Sequence, residues 1–193
     1  MCGGGVDLTI ERKQFGDRLI LERFALCVPA GEAVALTGPS GRGKSTVLRI
    51  VAGLDRDFHG QRQLDQAVRV TMVFQEPRLL PWRTARQSLL LCQPPGGAEA
   101  VAAMLQAVGL AGAEDLYPAQ MSLGMQRRAA LARALVMQPD LLILDEAFAS
   151  LDQITAEAMR ALLRSERQRR PFTLLMATHS PDDLALVDRV VAL

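Results

Sequence analysis

The sequence predicts an α/β fold: a mainly parallel core sheet, an N-terminal antiparallel β subdomain and an inserted helical subdomain. Three observations predict it. The apolar run Ala33-Val34-Ala35-Leu36 leads through a glycine-rich loop into a helical pattern over 47–52, closed by Gly53. Further short apolar runs, at 68–74, 141–144 and 172–177, each stop at polar residues, as buried parallel strands do. Between the runs at 68–74 and 141–144, over roughly 84–138, the pattern is mainly helical.

Composition bounds the function. A chain of 193 residues can bury one sizeable core, or one core with an appended subdomain. Its residues are 49% apolar, yet no run nears the ~18 apolar residues of a membrane span. Met1-Cys2-Gly3-Gly4-Gly5 lacks the basic start and apolar stretch of a secretory signal. Cysteines at 2, 27 and 92 are odd in number and widely spaced, so neither a disulfide framework nor a zinc site is expected, and a reducing, cytoplasmic setting is. The formal net charge of +1, from 22 basic and 21 acidic residues, argues against a nucleic-acid partner. Only Lys13 and Lys44 are lysines; every other basic residue is arginine.

In chain order, 6–12 alternates as an edge strand, Gly16-Asp17 marks a turn, and 19–28 gives one or two more strands ended by Pro29-Ala30-Gly31. Phe15, before the turn, is either a core or hairpin residue or a ring that stacks on a base. The loop Gly38-Pro39-Ser40-Gly41-Arg42-Gly43-Lys44-Ser45-Thr46 then fits the phosphate-loop pattern in its required strand–loop–helix setting. Glycines let its N–H groups point into one concavity, and the helix start adds the positive dipole end. Lys44 is a charge for β and γ phosphates, and the Ser45 hydroxyl is placed to ligate Mg²⁺. Nucleotide binding follows.

Residues 55–66 read as polar and irregular, with a turn at Gly60. The strand 68–74 stops at Gln75-Glu76-Pro77, and Gln75 falls where open α/β sheets bind ligands. Leu79-Leu80-Pro81-Trp82 is an apolar loop that serves either as a contact or as packing under the next helix. Helical patterns follow at 84–91 and 98–108, separated by Pro94-Pro95-Gly96-Gly97, and at 123–137 with Ser122 as cap. Leu141-Leu142-Ile143-Leu144-Asp145-Glu146 is a buried strand running into two carboxylates: Asp145 to hold Mg²⁺, Glu146 to orient or deprotonate water. A helix over 153–169 ends in Arg164, Arg167, Arg169 and Arg170, read as solvated surface because no aromatic residue interleaves them. Ser180-Pro181-Asp182-Asp183 reads as a helix start, and 189–193 as a last strand.

Taken together these residues resemble the ATP-binding subunit of ABC transporters, over nearly the whole chain. Residues 38–46 match the Walker A loop and Gln75 the Q-loop glutamine. Met121-Ser122-Leu123-Gly124-Met125-Gln126 sits at the signature motif, with Arg127-Arg128 and Ala132-Arg133-Ala134-Leu135 after it. Asp145-Glu146 ends Walker B, Ser150-Leu151-Asp152 matches the D-loop, and His179 the H-loop histidine. Phe15 falls where the family places an adenine-stacking aromatic.

The resemblance implies a single ATPase domain over 1–193, using ATP and Mg²⁺. Gly38, Pro39, Ser40, Gly41, Arg42, Gly43, Lys44, Ser45 and Thr46 would cradle the phosphates, with Ser45, Asp145 and Gln75 at the metal. Glu146 would be the general base and His179 a γ-phosphate ligand. It also implies a head-to-tail dimer, a homodimer by expectation, in which Ser122 and the Gly124 N–H close the partner's site. Residues 73–84 look like those of nitrate/sulfonate/taurine importer ATPases. Separate transmembrane permease subunits, a solute-binding protein and a peripheral place on the cytoplasmic membrane face follow from that. Two departures stand out. Leu123 replaces the first signature glycine, which raises the alternative of an ATP-binding but weakly hydrolysing regulatory subunit. The family also usually continues through further helices beyond the strand at 189–193.

Overall fold

In chain order the strands are β1 (Val6–Phe15), β2 (Arg18–Val28), β3 (Ala33–Thr37), β4 (His59–Gln63), β5 (Val70–Val73), β6 (Leu141–Asp145), β7 (Thr173–Ala177) and β8 (Arg189–Ala192). The helices are α1 (Lys44–Val51), α2 (Ala85–Leu90), α3 (Gly97–Ala107), α4 (Leu123–Val136) and α5 (Gln153–Arg169). The computed structural model describes residues 5–92 and 95–193. They form two units: one of residues up to Val70 with Asp140–Asp145 and Pro171–Leu193, the other of Thr71–Pro139 with Glu146–Arg170.

In the first unit, β1 and β2 form a hairpin around Gly16, and β4 pairs with the other side of β1. β1 is therefore the centre of a β2-β1-β4 sheet, not an edge strand, and 18–28 is one strand. The irregular reading of 55–66 is corrected too. His59–Gln63 has no apolar alternation; it is a strand because its backbone finds β1. Gly60 is no turn but a close crossing, where an added Cβ would lie 2.0 Å from the Thr9 carbonyl oxygen.

Strands β6, β7, β3 and β8 lie side by side, all parallel. Their apolar runs are core, with residues 33–36 fully buried. The register sets Leu36 and Asp145 each beside Ala177, so the loops after β3, β6 and β7 leave from one edge. That edge is where parallel sheets hold ligands. β8 is fixed by the Ala33 N–H donating to Asp188 (2.8 Å) and by Arg189 on both Glu32 oxygens (3.0 Å). Residues 181–186 form a 3-10 turn, not an α-helix capped by the Ser180 side chain. The Thr178 hydroxyl donates to Asp183 and accepts from the Ser180 N–H at 3.0 Å, which fixes the turn instead.

Cys27 is disulfide-bonded, against the expectation of no disulfide, because spacing says nothing of which sulfurs a fold brings together.

The second unit is mainly helical. Thr84 and Gln87 close a capping box on α2, and Ser122 and Asp152 cap α4 and α5. Helices α2, α3 and α4 pack on one another, and Leu89, Val101, Leu105 and Leu131 on them are buried. The helices expected over 84–138 are all here, and the unit also takes in α5. Pro94, expected in the separator between α2 and α3, lies outside the described residues.

Candidate functional site

The phosphate loop follows β3 with Gly38, Gly41 and Gly43 at φ 133, 79 and 95. Each value is one that L side chains rarely adopt. Gly43 also touches its surroundings: an added Cβ would sit 3.0 Å from the Ile20 and Leu21 side chains. It precedes α1 and offers no side-chain cap, so the first N–H groups of α1 are left for a ligand. Lys44 is buried, and its ammonium donates to the carbonyls of Gly38 (2.8 Å) and Pro39 (3.0 Å). A cation thus sits in the concavity before any phosphate does.

Ser45, one residue into α1, donates its hydroxyl to Asp145 Oδ1 at 2.9 Å. These residues are far apart in sequence, and the pair fits magnesium: a hydroxyl and a carboxylate, both hard oxygen donors. Among the described residues no group of three or more His, Cys, Asp or Glu side chains is placed to hold a metal. A cation here would therefore complete its shell with phosphate oxygens and water, as Mg²⁺ does. His179 is exposed at the end of β7 and lines a cleft of about 370 Å³ with Gly38, Pro39 and Thr178.

Phe15 is exposed, at 52%, so it is not a core residue. It pairs with Arg18 across the hairpin, and the 18–21 stretch reaches Gly41 and Gly43. Its ring stands at the hairpin end that borders the phosphate loop.

In the second unit, Gln75 Nε2 donates to Glu146 Oε2 at 3.2 Å. Glu146 itself lies at φ 49, a left-handed backbone that costs a bulky residue about 1–2 kcal/mol. Its carbonyl accepts from the Arg127 guanidinium (3.2 Å) and the Ala149 N–H (3.1 Å), which hold that conformation. Ser122 Oγ accepts from the Met125 N–H at 3.2 Å and keeps its own hydroxyl proton for another acceptor. Leu123 opens α4 at negative φ and is 49% exposed, so the freedom of a glycine is not used there. Gly124 faces Leu151, 3.6 Å from an added Cβ. Of the apolar loop, Leu79 and Leu80 are half-buried while Trp82 is 67% exposed. The arginines at the end of α5 are engaged locally, Arg164 with Glu157, Arg169 with Glu166, and Arg170 on the Gln138 and Pro139 carbonyls. The sequence marks Arg127 only as one of the arginines that follow the signature motif, and Lys13 only as one of two lysines; it assigns a role to neither.

The family model for ABC transporter matches residues 21–149. The chain belongs to the ABC transporter family. Aliphatic sulfonates import ATP-binding protein SsuB 2 of Burkholderia cenocepacia is 46% identical to it, over 97% of this chain and 73% of that protein. The protein of the same name from Pseudomonas syringae pv. tomato is 41% identical, over 97% of this chain and 82% of that one. The dimeric structure of MJ0796, a bacterial ABC transporter cassette, superposes with a TM-score of 0.86 at 27% identity, covering 97% of this chain and 94% of that one. A structure of MJ0796 in a post-hydrolysis state bound to ADP and Pi gives the same score. This ABC cassette is an ATP-binding subunit and an ATPase. Among its described residues no helix is long and apolar enough to cross a membrane.

Proposed function

We propose that the chain hydrolyses ATP to power import of an aliphatic sulfonate, or a related solute of the nitrate/sulfonate/taurine group, through separate membrane subunits. The observation that carries hydrolysis is the contact of Ser45 with Asp145, which joins the phosphate loop to the end of β6. The sulfonate assignment rests on the relatives, whose names state that solute.

In this reading Gly38, Ser40, Gly41, Arg42, Gly43 and Thr46 surround the phosphates with backbone N–H groups, and Pro39, which has no N–H, shapes the loop between them. The Lys44 ammonium leaves its loop carbonyls for the β and γ oxygens. Ser45 and Asp145 would hold Mg²⁺, with Gln75 as a further candidate, and the chemistry the ion would supply is neutralisation of charge on the phosphate oxygens. Glu146 takes the proton of the attacking water as the γ-phosphoryl group leaves. His179, on the cleft beside Gly38, donates to the γ-phosphate. Phe15 stacks on adenine. Ser122 and the Gly124 N–H, at a helix start suited to an anion, close the site of a second copy. ATP held between two copies shifts them toward the closed pair. The weakly hydrolysing alternative has no specific support from the relatives' names, and the Ser122 cap beside Leu123 is intact.

The test is uptake of a labelled alkanesulfonate in cells lacking the chain, complemented with wild type or with Glu146→Gln. Wild type restores uptake and the variant does not. Uptake that survives loss of the chain overturns the assignment.

A further inference from the structure

Lys13 has no part in anything described above, yet it is 1% exposed. Burying an ammonium is costly unless it is paired. Its Nζ donates to Asp55 Oδ1 at 2.9 Å and to the Asp57 carbonyl, and lies 3.6 Å from the Asp57 carboxylate. The same Nζ stands 4.5 Å from the centroid of the Phe15 ring. The pairing of β1 with β2 shifts register between Lys13 and Gln14, immediately before that ring. A strand that buries Val6, Leu8 and Ile10 could have packed an apolar residue here.

We propose that Lys13 is a positioning residue: it holds Phe15 as a platform for the purine base of the nucleotide on the phosphate loop. The inference rests on the reading that Phe15 meets the base. The acidic pair fixes the ammonium, and the ammonium holds one face of the ring through cation–π attraction. That contact limits the ring's rotation before any ligand arrives. It also draws π density from the opposite face, which favours stacking with an electron-rich purine. Lysine suits the role better than arginine, because a planar guanidinium would itself stack on the ring. In a chain that otherwise uses arginine, both lysines then serve the nucleotide: Lys44 its phosphates, Lys13 its base.

The test is calorimetric affinity of the full chain for MgATP and for magnesium tripolyphosphate, which has no base. Variants are Lys13→Met, Phe15→Ala and the double substitution. Lys13→Met should weaken ATP about five-fold, at the lower end of what a whole base–aromatic stack contributes, and leave tripolyphosphate unchanged. Added to Phe15→Ala, it should cost nothing more. Equal weakening of both ligands, or an undiminished loss in the Phe15→Ala background, would make Lys13 merely structural and overturn the proposal. If Phe15→Ala leaves the ratio of the two affinities unchanged, the stacking reading itself falls. Should Lys13→Met not fold, Lys13→Met with Asp55→Asn leaves no buried carboxylate unpaired, and the same ratio decides.

Discussion

At Gly43 two constraints coincide: a left-handed backbone and side chains of Ile20 and Leu21 at the position a Cβ would need. Gly41 has only the first, since its nearest neighbour would be the Arg18 guanidinium at 3.8 Å. Gly43→Ala should therefore weaken ATP binding and lower Tm more than Gly41→Ala, as thermal unfolding with and without ATP would show. Equal effects would mean that backbone strain alone matters. Arg127 gives a second test at this scale. Its guanidinium holds the Glu146 carbonyl in the left-handed turn. Arg127→Met should lower kcat about ten-fold, or ~1.4 kcal/mol, with the Kd for ATP nearly unchanged. A change confined to Kd would exclude that role. Neither the role of Arg127 nor the backbone of Glu146 could be read from sequence, because only the folded chain brings residues 127 and 146 together.

Among the elements, those legible in the sequence carry their own signal. β3, β6 and β7 are uninterrupted apolar runs because both faces are buried, and α4 and α5 begin at Ser122 and Asp152, residues that cap helices wherever they fall. β4 was illegible because its sequence, His-Gly-Gln-Arg-Gln, makes a strand only through the partner it finds. The 3-10 turn at 181–186 was misread for a similar reason. The sequence pattern assigns Ser180 a side-chain cap, and the Thr178–Asp183 contact replaces it. Phe15 was ambiguous from spacing, and exposure removed the core reading. The cap on α5 yields a prediction. The Thr155 hydroxyl and N–H hold the Asp152 carboxyl below the ordinary carboxylate range. A depressed folded pKa contributes stability above the unfolded pKa, and that contribution is lost as pH falls through the folded value. Asp152→Asn should thus lower stability at neutral pH and have less effect under strong acid, as denaturant midpoints across pH would record. A pH-independent loss would contradict this.

At the scale of the whole molecule, the proposed function has a near-neutral chain draw ATP by local devices: Lys44, the loop N–H groups and the start of α1. The phosphate loop, Ser45, Asp145 and His179 belong to one unit, and Gln75, Ser122, Gly124 and Glu146 to the other. In the proposed cycle Ser122 and Gly124 serve the site of a second copy, so turnover is a property of a pair of chains. The most direct measurement is steady-state MgATP turnover per chain as protein concentration is raised, for wild type and Glu146→Gln. The wild-type rate should climb with concentration and then level, while Glu146→Gln falls about a hundred-fold or more, as loss of a general base does. A rate independent of concentration and untouched by Glu146→Gln would contradict the account.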